Sequence, residues 1–468
     1  MPDALSLPIA ELVRRLRDGT LSARALVEEA IDNHARHGER LMAYSHWAPD
    51  HARKCADAAD AAFAAGACAG SLQGIPISVK DLFAVAGFPT HAGSPKRLPA
   101  KFETEGPVVA SLRRQLATLM GKTHMVEFAF GGTGHNGHYG APRNPWDADA
   151  HRSPGGSSSG AGVSLAEGSA LLALGSDTAA SVRLPAAMTG NAGLKLTKDR
   201  WSCDGIVPLS HTFDTPGILA RSMADAAFGF AALDPRLGDG FAFMRGVPAS
   251  VDGLRIGIAD AAFWDGCENG IDEVVRHAID QLARAGAVVV DQPLPEAREA
   301  VAVFTEGGVS AIELRAFLDR ELPEWLATID PVNGPALKNA ENLSAREYLA
   351  RLLRLAEAAR RAAARFDDVD VIAAPTVRLS PHVLSEDTGP EKFWARNRAL
   401  VHNLAPVNFL ALCAATLPVG LDRLGLPVGL QLIARGGDDE RLVAIACAAE
   451  RALGTPRQIL GEPPMCRS

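Results

Sequence analysis

Two spacings of apolar residues divide the chain into elements. Near the start, Ile9, Leu12, Val13 and Leu16 fall on one face of a helix over residues 8–18, which stops before Gly19, a residue suited to the left-handed conformation that ends helices. Ser22 is placed to cap a second helix carrying Leu26, Ala30 and Ile31. Residues 43–47 read as a strand and 49–65 as an alanine-rich helix. The short apolar run 75–80 reads as a strand that ends on Lys80. Residues 105–119 are amphipathic, and 120–130 restart a strand-like register. Further along, 254–260, 287–291 and 369–374 read as strands, with helices over 271–285 and 345–366 between them and a last amphipathic helix over Asp439–Leu453. Strands alternating with helices predict an α/β fold with a mixed or mostly parallel sheet.

One stretch follows neither spacing. Residues 151–183 read H-R-S-P-G-G-S-S-S-G-A-G-V-S-L-A-E-G-S-A-L-L-A-L-G-S-D-T-A-A-S-V-R. A Gly-Ser run at 155–162 and a second serine-bearing turn at 175–181 flank a small, apolar, helix-sized spacer. Gly and Ser permit tight backbone turns and close approach of main-chain N–H groups to a ligand. Ordering such residues costs conformational entropy, so packing or chemistry has to repay it.

P-G-G-S-S-S-G followed by A-L-G-S-D-T-A-A-S-V-R-L-P-A resembles the signature segment of the amidase signature family, serine hydrolases that use two serines and a lysine. The two matching serines are Ser157 and Ser181, separated by 181 − 157 = 24 positions. Upstream, G-I-P-I-S-V-K-D at 74–81 is similar to the family's lysine strand and supplies Lys80. The stretch 414–434 is similar to its closing strands. Three motifs in the same order are far more specific than any one.

The resemblance implies one α/β domain over residues 1–468, with a central mixed, twisted β-sheet covered by helices on both faces. It matches most weakly over about 225–400, where substrate-shaping variation is expected. It also implies Ser181 as nucleophile, Ser157 as proton relay after a cis peptide bond from Gly156, and a neutral Lys80 as base. Burial among Ile75, Ile77 and Val79 would disfavour the Lys80 ammonium. By position alone, a lysine ending a strand is more often a surface residue whose stem lies along apolar neighbours. Main-chain N–H groups of Thr178, Ala179, Ala180 and Ser181 would form the oxyanion hole. Ala179 and Ala180 stand where the family pattern has two glycines, and alanine disfavours positive φ. Asp177 and Arg183 match residues that brace the site, with a plain structural ion pair as the simpler reading. Gly131 and Gly132, in the glycine loop 131–140, match a region near the acyl pocket.

Composition narrows the field. Length alone suggests about three domains, but the resemblance favours one. Apolar residues make up 47% and charged residues 22% of the chain, which excludes wholesale disorder. The net charge is −8 with Lys and Arg scattered, so no nucleic-acid partner is expected. The seven cysteines form no C-x-x-C pair, which supports neither a disulfide framework nor a zinc knuckle. His135 and His138 have H-x-x-H spacing, but with no third ligand nearby they read as loop residues, so neither metal nor cofactor is implied. Charges at Glu11, Arg14, Arg15, Arg17 and Asp18 interrupt the start of the chain, and no apolar run reaches about 18 residues, so a cytoplasmic protein without a membrane partner is expected. A homodimer is compatible with all of this.

Rival readings turn on particular residues. G-K-T at 121–123 is no P-loop, because Leu116 occupies the required glycine position. Residues 156–160 match G-x-S-x-G with Ser158 as nucleophile, but the polar, proline-broken run before them lacks the strand an elbow needs. The ammonia-releasing, glutaminase component of a multi-protein amidotransferase would share the triad, yet it usually carries D-T-G-G-S-I-R-Q-P where this chain has D-T-A-A-S-V-R-L-P. A catalytically dead binding protein is disfavoured because Lys80, Ser157 and Ser181 are all present. The expected activity is therefore hydrolysis of a small carboxamide, aryl amide, urea or carbamate (urethane) through an acyl-serine.

Overall fold

Strands buried along their whole length, with no alternation of exposed positions, must be covered on both faces. That is the condition of Pro76–Lys80 (β2), Thr118–Thr123 (β3), Leu172–Asp177 (β4), Thr215–Ala220 (β6) and Pro427–Ala434 (β11). A computed structural model describes residues 4–387 and 389–467. Its other strands are Tyr44–Trp47 (β1), Ala192–Lys195 (β5), Arg255–Ile258 (β7), Val288–Asp291 (β8), Val371–Pro375 (β9) and Cys413–Leu421 (β10). All eleven form one sheet in the order β1-β3-β2-β4-β6-β5-β10-β11-β9-β7-β8. β2 runs parallel to β3 and β4, and β7 to β8 and β9, while the remaining pairs are antiparallel. The fold is thus a single α/β domain built on a large mixed sheet flanked by helices, as the sequence predicts.

The parallel pairing of β2 with β4 does the first work of site assembly. Val79 lies opposite Leu174, so Lys80 at the end of β2 comes level with the end of β4. The antiparallel neighbour β6 sets Thr215 opposite Asp177. The helix Ser159–Ala166, buried at all but its last residue, packs on β2 and β4 and brings the Gly-Ser run over the same strand ends.

Two boundaries differ from the sequence reading. The strand expected at 120–130 is β3, which starts at Thr118 and ends at Thr123. Leu116, at φ 55°, terminates the preceding helix Pro107–Arg114, whereas Phe128 and Ala129, at φ 45° and 58°, turn the chain out of the sheet. The spacer between the serine turns is likewise not one helix. It is the helix Ser159–Ala166, a turn at Gly168 and then β4, which also absorbs Gly175, Ser176 and Asp177.

Glycine is required where backbones touch. A Cβ on Gly156 would lie 2.8 Å from the nitrogen of Gly134, and one on Gly160 would lie 2.0 Å from the carbonyl oxygen of Ala43. Gly160→Ala should therefore force the helix Ser159–Ala166 away from β1 and cost about 1–3 kcal/mol of stability. Urea unfolding of the purified variant checks this, a midpoint equal to that of the wild type being the contrary result.

Candidate active site

Lys80, Ser157 and Ser176 meet in the protein interior. Lys80 is fully buried, and its Nζ lies 2.7 Å from Ser157 Oγ and 3.0 Å from Ser176 Oγ. The Gly156–Ser157 peptide bond is cis, as the resemblance implies. Burial pulls the Lys80 amine down to about 7, against the attraction of the Asp214 and Asp177 carboxylates. No carboxylate touches it among the described residues. An amine so placed is available as a proton acceptor near neutral pH.

Two other buried lysines show what distinguishes this one. Lys122 pairs with Asp81 at 2.9 Å, and Lys195 donates to the carbonyls of Leu196 and Leu412 at 2.6 and 2.7 Å. Burial draws Lys195 down too, to about 8, but its acceptors are main-chain carbonyls and Lys122 holds a carboxylate, whereas Lys80 faces two hydroxyls that can exchange protons.

Ser181 follows β4 by four residues, at 6% exposure, and its hydroxyl makes no hydrogen bond among the described residues. The structure thus forms the Lys80–Ser157 link but not a hydrogen bond between Ser157 and Ser181. The N–H groups of Thr178, Ala179, Ala180 and Ser181 have no protein acceptor among the described residues. Neither alanine adopts positive φ, so the turn has no need of the two glycines of the family pattern. Ala180 instead buries its methyl with Leu184, Leu404 and Ala405.

A salt-bridged bracket holds the turn from below. Arg183 and Asp177, both with fully buried side chains, pair at 3.0 Å, and Asp177 Oδ2 also accepts the N–H of Val182 at 3.1 Å. Burial opposes ionisation of Asp177, but the Arg183 guanidinium overcomes it and holds the carboxyl below its ordinary value. The remaining Arg183 donors reach Gln431, Asn408 and the Leu404 carbonyl at 2.7, 2.6 and 3.1 Å. From the other side, Thr178 donates its hydroxyl to Asp214 at 2.5 Å.

The glycine loop lies against the Gly-Ser run. The Gly131 and Gly132 N–H groups are already donated, to the Ala129 carbonyl at 3.1 Å and to Asn397 Oδ1 at 2.6 Å, which leaves only their carbonyls for a substrate. His138 pairs with Glu127 at 3.0 Å, and no cluster of three metal-ligating side chains occurs among the described residues. Ser158 is fully buried with no partner for its hydroxyl among the described residues, and no strand leads directly into it, so the elbow geometry is absent. Beside the loop is a cavity of about 700 Å³, walled in part by Phe130, Phe304, Trp394 and Phe409.

The Amidase family model matches residues 25–443. The chain belongs to this family. It is a hydrolase of carbon–nitrogen bonds. Over 465 residues the amidase is 46% identical to 2-amino-5-chloromuconic acid deaminase of Comamonas testosteroni, covering 98% of this chain and 99% of that one. It is 32% identical to a component of the glutamyl-tRNA(Gln) amidotransferase of Anaeromyxobacter dehalogenans (strain 2CP-C), covering 96% and 98% of the two chains. The structure of native peptide amidase from Stenotrophomonas maltophilia superposes with a TM-score of 0.80 at 27% identity, covering 97% and 98%. No helix among the described residues is long and apolar enough to cross a membrane.

Sequence reasoning missed Ser176, Asp214, Asn397, Asn408 and Gln431. Ser176 sits inside the quoted motif and could have been singled out as a second hydroxyl; the others carry no local signal.

The buried amine of the amidase has a thermodynamic signature. Folding lowers Lys80 from 10.5 to about 7, so between those values the unfolded chain binds more protons and stability rises with pH. Below about 7 the cost of the buried ammonium is fully present. Lys80→Met should therefore gain stability relative to the wild type at pH 6 and lose at least about 1 kcal/mol of that advantage by pH 10. Chemical denaturation at the two pH values measures the difference, and a pH-independent gap is the contrary result.

Proposed function

We propose that the amidase cleaves a small carboxamide, aryl amide, urea or carbamate through an acyl-enzyme on Ser181. Neutral Lys80 draws a proton from Ser157 while Ser157 draws one from Ser181, and the hydroxyl oxygen attacks the carbonyl carbon. The developing oxyanion is met by the N–H groups of residues 178–181. Run in reverse, the same chain protonates the departing nitrogen, and water then releases the acyl group. Catalytic hydrogen bonds often tighten only when substrate binds, and the Ser157–Ser181 contact is assigned to that complex.

The observation that carries this reading is the buried, carboxylate-free contact of Lys80 with Ser157. The N–H groups of Thr178, Ala179, Ala180 and Ser181, without an acceptor among the described residues, support it. The 46% identical deaminase supports ammonia as the leaving group, whereas the amidotransferase component is similar at 32%. A cytoplasmic location and a homodimer remain part of this proposal.

Turnover of primary carboxamides, anilides, ureas and carbamates by the purified chain tests the substrate class, with release of ammonia or amine as the readout. Lys80→Ala, Ser157→Ala and Ser181→Ala should each lower kcat/KM by at least about 10³-fold without loss of fold. The wild-type rate should rise with pH through about 7 as Lys80 loses its proton. Substantial residual turnover by Ser181→Ala would overturn the assignment.

A further inference from the structure

Asp214 is a buried carboxylate that the chemistry above leaves unused. It lies one residue before β6, and since β6 pairs Thr215 with Asp177, Asp214 comes beside Thr178 at the start of the turn. One carboxylate oxygen accepts the Thr178 hydroxyl at 2.5 Å. The other accepts the N–H groups of Leu209 and Ser210 at 2.9 and 3.0 Å. Its surroundings otherwise hold little to neutralise it. Lys198 donates to its backbone carbonyl at 3.1 Å and Cys203 to the same oxygen at 3.4 Å, while Arg183 is committed to Asp177 and Lys122 to Asp81.

We infer that Asp214 is a positioning residue for this reaction: it fixes the turn 178–181 through the Thr178 hydroxyl and supplies a negative charge to the surroundings of Lys80. Two N–H donors and one hydroxyl aimed at its two oxygens suit the ionised form. Burial raises its carboxyl above the ordinary value, and the Thr178, Ser210 and Leu209 donors oppose that rise only in part. Pro216, two residues after Asp214, pairs with Ser176, whose hydroxyl lies 3.0 Å from Lys80 Nζ, so the Asp214 carboxylate sits in the neighbourhood of that amine and, with Asp177, favours its ammonium. One side chain thereby links the geometry of the oxyanion turn to the pH at which the base becomes free. Lys195, a buried lysine that Asp177 also senses, already donates to two carbonyls and lacks such a link.

The inference rests on the Lys80–Ser157–Ser181 reading, and a fluorophosphonate probe that labels Ser181 separates the two. Labelling rates are measured against pH for the wild type and for Asp214→Asn, Thr178→Val, Thr178→Ser and Lys80→Ala. Asp214→Asn keeps the shape and removes the charge, so the pH of half-maximal rate should fall by about 0.5 unit or more. Thr178→Val should slow labelling at least about tenfold at every pH, and Thr178→Ser should restore it. A merely structural Asp214 would slow labelling without moving the midpoint, and an unmoved or raised midpoint overturns the inference. If circular dichroism shows Asp214→Asn to be unfolded, the Thr178 pair decides: equal rates in Thr178→Val and the wild type overturn it, and slow Thr178→Val with restored Thr178→Ser supports it. Lys80→Ala labelling as fast as the wild type instead sinks the underlying reading, and the inference with it.

Discussion

The whole site depends on keeping one lysine amine dry and without a carboxylate partner. A lysine in water is protonated near neutrality and cannot serve as a base. Burial at the end of β2 removes that obstacle, and the sheet supplies it because β2 is an interior strand with parallel neighbours on both sides. A contacting carboxylate would favour the ammonium, as Asp81 does for Lys122 against the pull of that lysine's burial. The two acids that Lys80 does sense, Asp177 and Asp214, have their oxygens occupied by Arg183, Thr178 and main-chain N–H groups.

Glycine and small side chains are the structural cost of that arrangement. The loop 131–140 meets the Gly-Ser run backbone to backbone, where a Cβ on Gly134 would lie 2.8 Å from the Gly155 carbonyl oxygen. The serine turn after β4 uses a different device. There, alanines with ordinary φ pack their methyls downward while the Asp177–Arg183 bracket and the Thr178–Asp214 bond hold the two ends. Main-chain N–H groups fixed in this way can meet developing charge without reorganising, which is the source of most electrostatic rate enhancement.

Much of this was legible in the sequence, for particular reasons. Lys80, Ser157 and Ser181 sit in compact motifs whose order and spacing are specific, and the α/β class follows from alternating spacings of apolar residues. The strand misplaced at 120–130 shows the limit: the run beyond Thr123 stays apolar at Met125, Val126, Phe128 and Phe130, yet Glu127 is buried there with His138 and the Asp330 N–H as partners. An apolar run cannot reveal a buried carboxylate. Asp214 was illegible for another reason, since it meets Thr178 across 36 residues only because β6 pairs antiparallel with β4. Likewise, nothing local separates Lys80 from Lys122 or Lys195; their partners do.

The most direct measurement is an NMR titration of the protein with isotope-labelled lysine side chains, compared with the Lys80→Met variant. The expected result is one lysine signal that titrates near 7 in the wild type and is missing from the variant. A Lys80 signal that stays in the ammonium form above about pH 9 would contradict the claim that this amine is the base.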